Sequence, residues 1–580
     1  MTASMAMTDE QICGAPFNVD AAGLEWVKAT FRKMADEEKL AQLLLPMSRD
    51  LSDQAMDTLA AQGVGGIHRF PSYPEAELRS SAERVLSASP IPPLLTADIE
   101  MSEKASVKSG TSHPNQMAVA ATGSSRNAYR MGAIAAREAR YLGFGVSWTP
   151  VADLALNFRA NAVNTRAFSA GLEQTVSLMS SYMDGMHDNG LVSCVKHFPG
   201  DGVDERDQHF VTSCNSMPME VWRESFGRIY QTAIGKGVRL IMAGHISLPH
   251  YAGEQGGEAL SAPYAPASLS RDLLQGLLRT ELGYNGVIVS DATGMAGFTS
   301  CGSRADIVPQ CIESGCDILL FPQGIEADLE HLRRGLARGA LSRRRLDEAV
   351  LRILALKASM GLHVVPVLVP ESCRSQMLAT DEHRLWAEAT CRQAVTQVKD
   401  SQSLLPLSPD RHRRILLAEV RERRSPSSAL PDLQIAQLLE ARGFEITRVV
   451  PGEPLNTRGQ DIGLYLSAEE GLSGKEFLGP NWERLHGPFP LTMQRMWQEL
   501  PSLYVSLGSP FLLYHMPDCP TYINAYSSVL PMQVALVEAL CGGIPFLGQS
   551  PVDPACGLPD AIGKGLAHAL QGHAGAGIYK

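Results

Sequence analysis

Leu191-Val192-Ser193-Cys194-Val195-Lys196-His197-Phe198-Pro199-Gly200-Asp201-Gly202-Val203-Asp204-Glu205-Arg206-Asp207-Gln208-His209 begins as an unbroken apolar run and ends as a polar, charged loop. A continuous apolar run suits a strand covered on both faces, as in a parallel α/β sheet; a half-exposed strand would alternate. Six similar runs flank it: Gly63–Ile67, Pro93–Ala97, Gly145–Trp148, Val238–Met242, Gly286–Ser290 and Cys316–Phe321. The segments between them read as amphipathic helices. After Ser124-Ser125, residues Ala128, Met131, Ile134 and Ala135 share one face, Arg126, Arg130, Arg137 and Arg140 decorate the rest, and Gly143 closes the helix. Asp272 to Leu282, closed by Gly283, repeats the design. Seven βα-like units over about 300 residues predict a (β/α)8 TIM-type barrel, with the eighth strand near Gln42-Leu43-Leu44-Leu45.

A boundary is expected near 361–380. Ser342 is placed to cap a last barrel helix running to about Met360, and His363 to Pro370 is extended and punctuated by proline. A helix around 381–398 follows, then strands near Ile415–Leu417, Ile446–Val450, Ile462–Leu466, Leu503–Leu507 and Tyr522–Tyr526. The expected fold is α/β: a barrel over 1–365, a linker over 366–380, and a smaller α/β/α sandwich over 381–580.

Composition narrows the function. The chain has 580 residues with 62 Asp+Glu against 51 Lys+Arg, a formal charge of −11, and no long basic run. That argues against a nucleic-acid partner. No stretch of about 18 apolar residues could span a membrane. The start, MTASMAMTDEQICGAP, lacks the basic and apolar segments of a secretory signal, so a cytoplasmic location is expected. The 11 cysteines form no CxxC pair and read as free thiols, and no metal or cofactor site is expected.

In a barrel, chemistry belongs at the C-terminal ends of the strands. The polar residues there are Asp98 and Glu100, Asp153, Lys196 and His197, His245, and Asp291. Asp291, placed by a rigid buried strand, suits a nucleophilic carboxylate because its position is fixed. His209 suits the acid and base. Asp207 lies two residues earlier, on the same side of an extended backbone, and can hold the imidazole by a hydrogen bond. A metal reading of His197, Asp201, Asp207 and His209 fits no helical HxxxH spacing.

The segment Lys196–His209 resembles the KHFPGHG…DSH signature of glycoside hydrolase family 3, in its bacterial β-N-acetylglucosaminidase branch, with the Lys196-to-His209 offset kept without a gap. Gly286–Met295 (GVIVSDATGM) resembles that family's nucleophile strand, and Ala160–Phe168 ends like its N-P-x-x-G-x-R-S-F sugar-binding loop. Pro150–Asp153 and Gly110–Pro114 are looser matches, and Gly542–Gly548 with Pro551-Val552 resembles the family's closing segment. The resemblance implies a cofactor-free retaining exo-glycosidase that releases terminal β-linked N-acetylglucosamine from a small glycoside or oligosaccharide. Asp291 would attack, and His209 with Asp207 would be the acid/base dyad. Asp98, Arg166, Lys196 and His197 would bind sugar hydroxyls; a helix cap is the rival reading for Asp98. A glycoside phosphorylase, a β-glucosidase, or a catalytically silent sugar-binding protein are the alternatives.

Four departures from the pattern bear on the site. Asp201 stands where the branch has His, which is expected to add a negative charge that disfavours phosphate. Gln208 replaces the Ser of D-S-H, Glu100-Met101-Ser102 replaces EGG, and Ala160-Asn161 with Asn164 alter the arginine loop.

Overall fold

A computed structural model describes residues 6–102, 107–255, 262–364, 368–421, 433–471 and 478–563. The apolar runs become parallel strands: β1 (Leu44–Leu45), β2 (Gly66–His68), β3 (Leu94–Ala97), β4 (Val146–Ser147), β5 (Val192–Phe198), β6 (Leu240–Ala243), β7 (Val287–Ser290) and β8 (Leu319–Leu320). Strands β2 to β7 pair in sequence order. β1 pairs with β8, and parallel bridges from Met47 to His68 and from Val289 to Ile318 close the ring. Every residue of β3, β6 and β7 is buried, which is why these strands read as continuous rather than alternating.

The outer helices follow their expected punctuation. Ser124 accepts a hydrogen bond from the Asn127 N–H and starts the helix Ser125–Tyr141, whose Ala128, Met131, Ile134 and Ala135 are fully buried. Gly143 leaves it with φ +84°, a left-handed turn that glycine makes without steric cost. Ser342 caps Arg343–Ser359 by accepting from the Arg345 N–H at 3.3 Å.

A second sheet holds β9 (Thr396–Asp400), β10 (Arg414–Arg421), β11 (Glu445–Arg448), β12 (Ile462–Ala468), β13 (Ser502–Ser506) and β14 (Thr521–Asn524), in the order β9-β14-β13-β12-β10-β11. All pairs are parallel except β9 with β14. Alternate residues face opposite layers. Leu417, Leu464 and Val505 meet the helices Asp381–Ala394, Ile435–Glu440 and Leu530–Leu540, while Leu416, Tyr465 and Tyr504 meet Leu485, Met496 and Leu512. The helix expected over 381–398 stops at Ala394. Its last residues turn into β9, because Val395, Thr396 and Val398 are β-branched and pair better at a sheet edge than in a helix. Part of the expected extended segment, residues 365–367, lies outside the described residues; Glu371–Cys373 and Arg374–Met377 form short helical turns, and Arg374 pairs with Glu75.

The two parts share a core. Ala160, Val163 and Ala167 of the barrel loop pack in one apolar cluster with Leu464, Val505 and Ile523 of the second sheet. The carbonyl of Pro551 accepts from the Ala170 N–H and the Ser169 hydroxyl. Among the described residues no helix is long and apolar enough to cross a membrane.

Candidate active site

One side of the barrel mouth is an ion-pair network. Lys196, inside β5, puts its Nζ 2.8 Å from Glu100 Oε1 and 3.3 Å from Asp98 Oδ1. Arg166 ends a single helical turn, Asn164–Arg166, and meets Glu100 through two parallel N–H···O bonds of 2.9 and 2.8 Å. A third donation, to the Ala162 carbonyl at 2.7 Å, locks the guanidinium plane. Burial disfavours the charged Glu100, but Arg166 and Lys196 outweigh it and hold the carboxyl well below its usual range. Burial likewise opposes charge on Lys196, and Glu100 and Asp98 outweigh it, so its pKa is raised. Among the described residues Asp98 caps no helix. Its side chain is 43% exposed, which leaves an oxygen facing the mouth. Behind it, the Trp148 indole donates to His68 Nδ1 at 3.1 Å, so Nε2 carries the His68 proton and lies 3.9 Å from Asp98 Oδ2. Burial pushes His68 down to about 4.

The other side centres on Asp291, the residue after β7. Its N–H donates to the Ala243 carbonyl at 2.8 Å, and Oδ1 accepts from the Ala292 N–H at 2.7 Å. Oδ2 lies 3.9 Å from His197 Nε2. Asp153 sets that imidazole: Oδ2 is 2.7 Å from His197 Nδ1, and Oδ1 accepts from the His197 and Asp201 N–H groups at 3.1 and 2.8 Å. Burial raises the cost of ionising Asp291, yet the imidazoles of His197, His245 and His209 outweigh it and keep its pKa below the ordinary carboxylate value.

Asp207 and His209 form the expected pair, by a different backbone route. Asp207 Oδ1 accepts from both the His209 N–H, at 2.9 Å, and His209 Nδ1, at 2.7 Å. The Phe210 and Val211 N–H groups donate back to the Asp207 carbonyl, so the segment is a tight turn and not an extended strand. An Asp side chain that accepts from the backbone two residues on favours such a turn. The loop is clipped to the one bearing Asp291: the Ala296 N–H donates to the His209 carbonyl at 2.9 Å and the Gly297 N–H to the Gln208 carbonyl at 3.3 Å.

Asp201, expected from the sequence as an added negative charge, is a buried carboxyl whose two oxygens accept from the Gly202 N–H and the Gln208 amide. It is 5% exposed, and burial, followed by the field of Asp153, pushes its pKa well above the usual value. Sequence reasoning also left Glu100 and Asp153 without roles, although both stood among the strand-end polar residues. The signal was a carboxylate with no partner near it in sequence. Its partners, Arg166 for Glu100 and His197 for Asp153, lie 66 and 44 residues away.

Carboxylates, paired cations and oriented imidazoles gather at the C-terminal mouth of a parallel barrel, where barrel enzymes carry their chemistry. The chain belongs to glycosyl hydrolase family 3, whose N-terminal domain matches residues 36–356. A β-N-acetylglucosaminidase/β-glucosidase of Cellulomonas fimi is 35% identical over 95% of this chain and 99% of that protein. A β-glucoside phosphorylase, BglX, solved with 2FGlc bound, superposes with TM-score 0.89 at 30% identity, covering 95% of this chain and 100% of that one. A family 3 β-N-acetylglucosaminidase from Paenibacillus sp. str. FPU-7 shares the fold at 22% identity, with TM-score 0.78 over 90% of this chain and 99% of that one.

Proposed function

We propose that this family 3 glycosidase is a retaining exo-enzyme that releases terminal β-linked N-acetylglucosamine. Asp291 attacks the anomeric carbon and forms a glycosyl ester, while His209 Nε2 protonates the departing oxygen. Asp207 holds Nδ1 and so orients the ring with Nε2 turned to the substrate. In the second half-reaction His209 takes a proton from water as the ester is cleaved. Asp98, Arg166, Lys196 and His197 bind the hydroxyls of the single sugar. The observation that carries this reading is the backbone bond between His209 and Ala296, which puts the Asp207–His209 turn against the loop that follows Asp291.

Asp291→Asn is expected to lower kcat by at least about 10⁴-fold on any substrate, as the loss of a nucleophile does. His209→Ala is expected to lower kcat by about 10²-fold or more on methyl β-glycosides and far less on nitrophenyl glycosides, whose leaving groups need little protonation. Equal losses on both substrates remove His209 from the acid role.

A second reading, phosphorolysis, is favoured by the full-length likeness to a β-glucoside phosphorylase. Nitrophenyl β-N-acetylglucosaminide, β-glucoside and β-xyloside, each assayed with and without inorganic phosphate, separate the readings. Free sugar in both conditions supports hydrolysis. A phosphate-dependent sugar 1-phosphate supports the second reading.

A further inference from the structure

We propose that Gln208, together with Asp201, is the positioning pair that holds the acid/base histidine beside the nucleophile before substrate arrives; the proposal rests on His209 being that acid/base. Gln208 is 2% exposed although it lies in a surface turn whose neighbour Phe210 is 62% exposed. Its amide orientation is set by its partners. Oε1 accepts from the His245 N–H at 2.7 Å, which only an oxygen can do, so Nε2 is the atom 3.4 Å from Asp201 Oδ2 and donates to it. Its own carbonyl accepts from the Gly297 N–H. One residue thus ties the dyad turn to the segments after β5, β6 and β7.

Asp201 passes the tie onward. Its N–H donates to Asp153 Oδ1, and Asp153 is the carboxylate that orients His197 toward Asp291. Its Oδ1 accepts from the Gly202 N–H at 2.8 Å, leaving Oδ2 for Gln208. The imidazoles on the two sides of the mouth are therefore linked through Asp153, Asp201 and Gln208. Both members of the pair are positions where this chain departs from the family signature, and the fold brings those two departures into contact. A serine at 208, two heavy atoms shorter, could not reach Asp201 and the His245 N–H together. Holding the turn in advance removes the ordering cost from each turnover, and a misplacement of about 1 Å can cost about 10²-fold.

The test compares kcat on methyl and nitrophenyl β-glycosides of whichever sugar, N-acetylglucosamine or glucose, the wild-type enzyme turns over. Q208A is expected to lower kcat about 30-fold on the methyl glycoside and less than about threefold on the nitrophenyl glycoside. D201N sets two N–H donors against each other and falls in the same pattern; Q208E leaves two carboxyl groups that can keep the contact only by sharing a proton, so its loss grows as pH rises. In the D201N/Q208E double variant the introduced amide donates to the introduced carboxylate, and the contact returns with donor and acceptor exchanged. That variant is expected to recover to within about threefold of wild type, which a general packing defect would not do. Equal losses on both substrates, or a double variant no better than the poorer single one, overturn the pairing. H209A run in parallel separates the two levels. If it discriminates between the substrates and Q208A does not, only the positioning pair fails; if H209A does not discriminate, the acid assignment fails and the pair with it.

Discussion

Glu100 shows how one carboxylate decides a binding surface. It stands between Arg166 and Lys196, and its removal would leave two buried cations facing each other. Glu100→Gln is therefore expected to raise KM about tenfold, because Arg166 loses its bidentate partner and drifts from the sugar, while kcat on bound substrate changes less. Steady-state kinetics on the nitrophenyl glycoside check this. An effect on kcat alone would place Glu100 in the chemical step instead. Asp98, Lys196, His197 and Asp291 could be named from strand phase alone, since a barrel strand sends its last residues to the mouth. Glu100 and Asp153 could not be given roles that way, because a carboxylate's role depends on which cation or imidazole the fold sets against it.

The loop after β5 shows what local pattern can and cannot supply. Gly202 adopts φ +96°, and a Cβ there would lie 2.0 Å from the Leu154 carbonyl. Gly202→Ala is expected to displace the loop that leads to the Asp207–His209 turn. The result would be loss of most activity and of several kcal/mol of stability, in the range of strained or overpacked sites, read by urea unfolding and by turnover of the nitrophenyl glycoside. The helices and strands near it were legible because apolar periodicity and caps are local. The turn at Asp207 was not, since the same i, i+2 spacing serves an extended strand and an Asx turn alike. The end of the helix at Ala394 was missed for a related reason: Val395-Thr396 join a strand only because β14 lies alongside to receive them.

The second sheet buttresses the arginine loop around Asn161–Arg166. A Cβ on Gly471 would lie 2.2 Å from the Asn164 Cβ and 2.6 Å from the Asn161 carbonyl, and Asn164 Nδ2 donates to Ser509 Oγ at 3.2 Å. Gly471→Ala is expected to push the arginine loop, raise KM about five- to tenfold and also lower the melting temperature, because backbone and a fixed Cβ must give way. Acid stability belongs to the molecule as a whole. Burial pushes the His68 and His113 imidazoles to about 4, against an ordinary 6.5. The unfolded chain takes up these protons first, so their contribution is full above pH 6.5 and is lost as pH falls from 6.5 to 4. The loss is at most about 3 kcal/mol for each. Asp201, with its pKa raised, works in the opposite sense and favours the folded state in acid. Urea midpoints at steps between pH 7 and 4 should fall through that window; a flat profile would mean these imidazoles are not buried as neutral groups.

Strand phase, helix caps and one uninterrupted signature were enough to reach a barrel, a second α/β layer, a family and most of the mouth, because each is written within a few tens of neighbouring residues. The pairing of Glu100 with Arg166, the hold of Asp153 on His197, the burial of Asp201 and the bond from Gln208 to Asp201 needed the folded chain. Each depends on burial and on distances between strand ends, and the closing of the eight-stranded ring sets both.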